Sequence, residues 1–177
     1  MQVVFIGLAG SGKSTWGRRL ASRLNVPFAD LDVLVESAMG ATIPYIFAAG
    51  HHEAFRACEA RLLAALLRSP AHGVVATGGG AAMAKGVDWR GAHVVWLNPP
   101  LSEIERRLRE EWRNRPLLAA AGATGWADVL HSQSTERHDR YAALADDVWP
   151  AFDGGDGARD FERLVERWPV LTGCQDK

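Results

Sequence analysis

Gly7 to Thr15 reads Gly-Leu-Ala-Gly-Ser-Gly-Lys-Ser-Thr, and no other stretch constrains the fold as tightly. It fits the pattern G-x-x-x-x-G-K-[ST] without a mismatch. Val3-Val4-Phe5-Ile6 before it is a short apolar run of β-branched and aromatic residues, as a buried strand should be. After Lys13, Leu20 and Leu24 recur at helical spacing with small Ala21 beside them. A strand, a glycine loop and a helix in that order form an anion cradle. The glycines let backbone N–H groups turn inward, and the helix adds its positive end. Lys13 is expected to reach the β- and γ-phosphates of a nucleoside triphosphate, and the Ser14 hydroxyl to ligate Mg²⁺. Gly10, Ser11, Gly12, Lys13, Ser14 and Thr15 form the expected nucleotide-binding set. The loop leaves the phosphoryl acceptor open.

Strand-like and helix-like segments alternate along the rest of the chain. Val26-Pro27-Phe28-Ala29 predicts a short strand ending at Asp30, and Leu31 to Met39 a helix stopped by Gly40. Thr42 to Ala49 predicts a second short helix with Thr42 at its N-cap. His52 to Ser69 predicts a long helix with Phe55, Cys58, Leu62 and Leu66 as its apolar stripe. Val74-Val75-Ala76 and His93 to Leu97 predict strands, and Leu101 to Glu111 a helix with Ile104 and Leu108 on one face. Trp112 to Gly125 is rich in Ala and Gly, breaks the pattern and is read as a mobile loop. Trp126 to Leu144 returns to helix, Val148-Trp149 predicts a last strand, and Gly154-Gly155-Asp156-Gly157 a linker. A final amphipathic helix through Phe161, Leu164, Val165 and Trp168 is expected to stop at Pro169, leaving a frayed tail over 169–177. No internal repeat is visible. This order implies an α/β fold with three layers, α/β/α, around a central parallel five-stranded sheet. Ligands in such a fold sit at the carboxyl ends of the strands. Residues 1–168 are read as one domain, with 112–125 as its lid.

Hydrophobic residues make up 47% of the 177 residues, and the formal net charge is −1. These values describe a globular protein with no basic excess for nucleic acid or an anionic membrane. No run approaches the roughly 18 to 20 apolar residues that span a bilayer. The N-terminus shows neither the basic nor the apolar part of a signal peptide. Cys58 and Cys174 form no metal pattern and are read as reduced thiols of a cytoplasmic protein. His51-His52 is the only histidine pair, and adjacent helical residues diverge by about 100°. The six histidines are therefore read as surface residues. A monomer with small-molecule substrates, and neither nucleic acid nor membrane as partner, is the expectation.

Asp30 and Asp32 follow the second strand, at the ligand edge of the sheet. Asp30 is expected to hold Mg²⁺ directly or through water, and Asp32 to face an acceptor hydroxyl as orienting group or general base. Capping of the next helix is the alternative, and one Asp would satisfy it. Thr77-Gly78-Gly79-Gly80 follows the third strand, where glycines let the backbone approach a ligand closely. Arg56 shares a helical face with Glu59, Leu63 and Leu67, and Glu53 and Glu59 flank it at three residues. The alternative to a ligand contact is a surface ion pair of small consequence. Arg115, ahead of Pro116 in the mobile segment, suits stabilisation of transition-state charge, with a solvated loop charge as its alternative. Arg137 and Arg140 flank His138-Asp139 before Tyr141, and by themselves read as a charged helix face.

Together these segments resemble the shikimate kinase family, in the nucleoside-monophosphate-kinase-like branch of P-loop folds. The resemblance runs from Val3 to about Val148. It includes GLAGSGKST, FADLD (Phe28 to Asp32) with Glu36, Ile43 to Phe47 and FRACE (Phe55 to Glu59). It continues through ATGGGA (Ala76 to Ala81), NRPLL (Asn114 to Leu118) and ERHDRY (Glu136 to Tyr141). The resemblance implies a P-loop kinase with a mobile lid, using ATP and Mg²⁺ to phosphorylate the 3-hydroxyl of shikimate. It implies that Asp32 binds the acceptor hydroxyls, that Asp30 lies near Mg²⁺, and that Arg56 and Arg137 bind the carboxylate. Gly78, Gly79 and Gly80 would line the same pocket, and Arg115 would reach the transferring phosphate from the lid. Guanidinium forks suit a carboxylate, and an Asp suits vicinal hydroxyls. The chain departs from the family pattern at His51-His52, where Gly-Glu is common. Trp149-Pro150-Ala151-Phe152 replaces an Asp-Thr-like loop near the adenine, and ERHDRY lacks the Pro-Leu before its Tyr. Arg137 is preferred over Arg140 on the Arg-x-x-x-Tyr spacing. The competing readings are a kinase for gluconate or another polyhydroxy acid, and a related binding protein without turnover. The seven tryptophans have no functional account at this level.

Overall fold

Alternation along the first strand sets the layers. The computed structural model describes residues 1–150 and 155–172. In β1 (Gln2–Ile6) Val3 and Phe5 face one side of the sheet and Val4 and Ile6 the other, and all four are fully buried. Both faces must therefore be covered, as a parallel sheet requires. After β1 come α1 (Lys13–Leu24), β2 (Phe28–Asp30), α2 (Leu31–Met39), α3 (Ile43–Ala48) and α4 (His52–Arg68). β3 (Gly73–Ala76), β4 (Ala92–Leu97), α5 (Leu101–Leu108), α6 (Pro116–Ala119) and α7 (Gly122–Leu144) follow. β5 (Asp147–Trp149) and α8 (Gly155–Thr172) complete the order. The five strands lie in the order β2-β3-β1-β4-β5, all parallel.

One face of the sheet packs Val3, Phe5, Val95 and Leu97 against Trp16 and Leu20 of α1 and Leu164 and Trp168 of α8. The other packs Val4, Ile6, Val94 and Trp96 against Ile104 and Leu108 of α5 and Leu130 and Tyr141 of α7. A third cluster joins α2, α3 and α4 through Leu31, Val35, Ile46, Phe55 and Leu63. The described tryptophans belong to this packing. Trp149 meets the rings of Phe5 and Trp16 edge-on at 5.4 and 5.8 Å. It is a core residue, and Ala151 and Phe152 lie outside the described residues.

Several boundaries differ from the sequence reading. β2 starts at Phe28 because Pro27 has no N–H to give a ladder, although its carbonyl accepts from Val74 N at 2.9 Å. Thr42 sits at the N-cap of α3 without capping it; the Glu36 carboxylate of α2 accepts from Ile43 N at 2.8 Å instead. On α4 the fully enclosed residues are Phe55, Cys58, Glu59 and Leu63, and Leu62 and Leu66 are only half-buried. Residues 112–125 are not an irregular loop. They form a 3₁₀ turn (Trp112–Asn114), α6 and the first turn of α7. Arg115 is extended (φ −112°, ψ 101°), as a residue before proline should be, and Pro116 opens α6, where its missing N–H costs nothing. Burial of Trp112 and Leu118 fixes the segment. Gly155 to Gly157 begin α8 rather than a linker, and α8 runs past Pro169 to Thr172. Its packed stripe of Phe161, Leu164, Val165 and Trp168 offsets the weak helix formers at both ends. Gly154, Cys174 and the rest of 173–177 lie outside the described residues. His93 is not a surface residue: it is buried, with Nε2 2.7 Å from Asp147 Oδ2.

Candidate active site

β1 delivers the chain to the glycine loop, and α1 leads it away from Gly12, whose φ of 89° only glycine adopts freely. Lys13 folds back on the loop. Its Nζ donates to the carbonyls of Gly7 (2.9 Å) and Leu8 (2.7 Å) and reaches Ser11 Oγ at 3.4 Å. Burial pushes the ammonium down from 10.5 to about 8; the Asp32 charge opposes that shift, and the Arg115 charge adds to it. Lys13 is thus a buried cation held by neutral oxygens, and an anion in the loop would stabilise it. A cleft of about 470 Å³ opens over Gly10, Gly12, Lys13 and Thr15, with Arg107 and Arg115 opposite. Ser11 is fully buried and its side chain lies outside the cleft wall.

The two carboxylates after β2 divide their work. Asp30 Oδ1 accepts from Asp32 N at 3.2 Å and so caps α2, while its Oδ2 accepts from Ser14 Oγ at 2.6 Å. One hydroxyl and one carboxylate are hard oxygen donors. They suit a small divalent cation that completes its shell with phosphate oxygens and water. Among the described residues no group of three or more His, Cys, Asp or Glu could hold a metal alone. Asp32 is left uncommitted by the cap. Burial raises its carboxyl above the usual value of 3.8, and the Lys13 charge acts against that rise.

The glycine turn after β3 is shaped by what crowds it. A Cβ on Gly78 would lie 2.6 Å from Asp32 Oδ1, and one on Gly80 2.7 Å from Arg56 Nη1. Both positions must therefore be glycine if the carboxylate and the guanidinium are to lie against the turn. Arg56 Nη1 pairs with Glu59 Oε2 at 2.6 Å. This is not the surface pair that i, i+3 spacing allows, because the Glu59 side chain is 1% exposed. Burial raises the Glu59 carboxyl, the Arg56 charge opposes the rise, and Glu59 Oε1 has no hydrogen-bond partner among the described residues. From α7, Arg137 Nη1 and Tyr141 Oη both donate to the Gly79 carbonyl, at 2.9 and 2.5 Å. Arg140 instead donates to Ala82 O at 3.1 Å and does not line the cleft.

This second cleft, of about 430 Å³, is walled by Arg56, Gly78, Gly80 and Arg137, with Phe47 and Leu117 as apolar sides. It shares Ser14, Asp32, Gly79 and Arg115 with the loop cleft. The two spaces therefore meet at one carboxylate and one guanidinium, and Arg115 Nε is buried there without an acceptor among the described residues. Groups that sequence reasoning missed are Glu59 as a buried anchor, Gln133 in the second cleft, and Arg19 and Arg107 in the first. Glu59 carried a signal, a carboxylate on the apolar face of α4. Gln133, Arg19 and Arg107 carried none, since their places depend on how helices cross the sheet.

A family described as shikimate kinase matches residues 9–166. A shikimate kinase of Caulobacter vibrioides is 44% identical over 143 residues, covering 79% of this chain and 69% of that one. One of Bradyrhizobium diazoefficiens is 42% identical over 143 residues, covering 79% of this chain and 67% of that one. Among solved structures, shikimate kinase from Acinetobacter baumannii in complex with shikimate aligns with a TM-score of 0.82 at 29% identity. That alignment covers 98% of this chain and 95% of the other.

Proposed function

The chain belongs to the shikimate kinase family, and on that premise we propose that it transfers the γ-phosphoryl of ATP to the 3-hydroxyl of shikimate. The products are shikimate 3-phosphate and ADP. The observation that carries this reading is the common wall of the two clefts, where Asp32 and Arg115 stand between a phosphate loop and a pocket with two arginines. ATP occupies the loop cleft, its phosphates against backbone N–H groups of Gly10 to Thr15 and the Lys13 ammonium. Ser14 and Asp30 would hold Mg²⁺, which would supply neutralisation of the phosphate charge. Shikimate occupies the second cleft, its carboxylate on Arg56 and Arg137 and its ring against Gly78, Gly79 and Gly80. Asp32 accepts the proton of the 3-hydroxyl, and its raised carboxyl makes it a better acceptor than an ordinary aspartate. The hydroxyl oxygen bonds to the γ-phosphorus as the bond to the β,γ-bridging oxygen breaks, and that electron pair leaves on ADP. Arg115 spreads the charge of the transferring group.

In this reading residues 1–168 work as one kinase domain, with 112–125 as its lid. The protein acts as a cytoplasmic monomer on small molecules alone. Cys58, buried and in no disulfide among the described residues, suits a reducing compartment. ADP release measured across acceptors tests the assignment. Shikimate should give kcat/KM at least about 10²-fold above gluconate, because a site that pairs specific hydroxyls rejects mismatched ones. Turnover of gluconate with shikimate inert would keep the kinase and remove the acceptor. Binding of both ligands without ADP release would leave a binding protein.

A further inference from the structure

A third cleft, of about 400 Å³, shares Arg56, Gly80 and Arg137 with the acceptor pocket. Its walls include Arg56, Lys85 and Arg137, with Ala57, Ala60 and Met83 between them. Three cations line it and no carboxylate does. Arg56 and Arg137 also line the acceptor pocket, so the same two guanidinium groups border both spaces. Lys85 belongs to the third cleft alone and has no carboxylate partner among the described residues. The neighbouring charges are otherwise engaged: Arg56 with Glu59, and Arg137 with the Gly79 carbonyl. Each arginine keeps further N–H donors in its fork.

We propose that this cleft is a second carboxylate site that shares its two arginines with the acceptor pocket. Its ligand is a small ring acid, the carboxylate held by Lys85 with Arg56 or Arg137 and the ring against Ala57, Ala60 and Met83. A bare inorganic anion would leave those apolar side chains uncovered, so the ligand carries an apolar body. A guanidinium drawn toward this side binds the acceptor carboxylate less well, so the two sites oppose each other, and the opposition is reciprocal. The same chemistry is met by a second shikimate at high concentration or by another ring carboxylate. The proposal rests on the acceptor reading above only for the kinetic arm of its test.

The binding arm is an amide-resonance titration of the full chain with benzoate, with benzamide and inorganic phosphate as controls. Shifts at Ala57, Ala60 and Lys85 should saturate with benzoate and not with benzamide. Lys85→Glu and Lys85→Ala should weaken them at least about fivefold, the loss expected of one charge-assisted contact. In the kinetic arm, benzoate should raise KM for shikimate in the native protein, and either variant should blunt that effect while leaving KM without benzoate within twofold, roughly. Excess shikimate should inhibit in the same Lys85-dependent way if the acceptor is itself a ligand. Shifts confined to Val33, Phe47 and Leu118, or benzoate inhibition unchanged by both variants, would place the carboxylate in the acceptor pocket and overturn the proposal. Saturation by phosphate equal to that by benzoate would overturn the ring-acid assignment. Lack of any shikimate turnover would undo the acceptor reading and leave the binding arm standing.

Discussion

In the proposed function Lys13 links burial to rate. Its ammonium is pushed down to about 8, so kcat/KM for ATP should fall as pH rises past about 8, since this parameter reports free-enzyme ionisations. Stability should move the other way. A lysine depressed from 10.5 to about 8 opposes folding while charged, so the free protein gains stability as pH rises between those values. Urea unfolding and kinetics measured together separate titration from alkaline unfolding; a parallel fall of both would refute the assignment. The acid limb should start above the ordinary carboxylate range, because burial raises Asp32. Lys13→Ala should lose turnover with any acceptor. In the proposed function Arg56 has two duties. Arg56→Ala should weaken shikimate binding by about 2 to 4 kcal/mol and also strand the buried Glu59 carboxylate, costing on the order of 3 kcal/mol of stability. Adding Glu59→Gln should restore most of the stability and none of the shikimate KM. Recovery of both would mean that Arg56 acts on the fold alone.

Between β4 and α7 the chain brings Arg115 to the join of the clefts. Trp112 and Trp126 stack across this segment, centroids 6.5 Å apart and planes 3° from parallel. If 112–125 closes as a lid, emission of this pair should change when both ligands bind, and the change should vanish in Trp112→Phe and Trp126→Phe. Arg115→Ala should lower kcat by about 10²-fold or more; a rise in KM alone would make Arg115 a ground-state phosphate contact. On α7, Arg137 and Tyr141 are one turn apart and both reach Gly79 O, whereas Arg140 reaches Ala82 O. Arg137→Ala should therefore raise KM for shikimate and leave KM for ATP little changed, with Arg140→Ala mild in both assays.

The whole molecule presents two clefts with one wall, so their ligands should not stabilise it independently. Each ligand at 100 times its Kd adds about 2.7 kcal/mol if it binds only the folded state. ATP and shikimate together should exceed the sum of their separate effects, because one ordering of Arg115 and Asp32 serves both. Strict additivity in urea unfolding would mean that the clefts do not communicate.

What the chain order determined by itself is local. A nine-residue loop between an apolar run and a helix specifies an anion cradle wherever it occurs, because its chemistry uses backbone N–H groups of consecutive residues. The parallel five-stranded sheet was legible for a similar reason: alternating segments leave few ways to cover a sheet on both faces. Asp30, Asp32 and the glycine triplet were placed by following strands to their carboxyl ends. The tertiary structure alone decided which groups meet. Composition could not show that Glu36 caps α3, that Glu59 is enclosed beneath Arg56, or that Trp149 belongs to the core. Nor could it show that 112–125 is helical, because burial of Trp112 and Leu118 outweighs the weak local signal of an Ala- and Gly-rich stretch. The shared wall of the clefts joins the glycine loop, α1, α2, the turn after β3 and the segment before α6. Contacts at such separations depend on helix packing against the sheet, and no spacing along the chain records them.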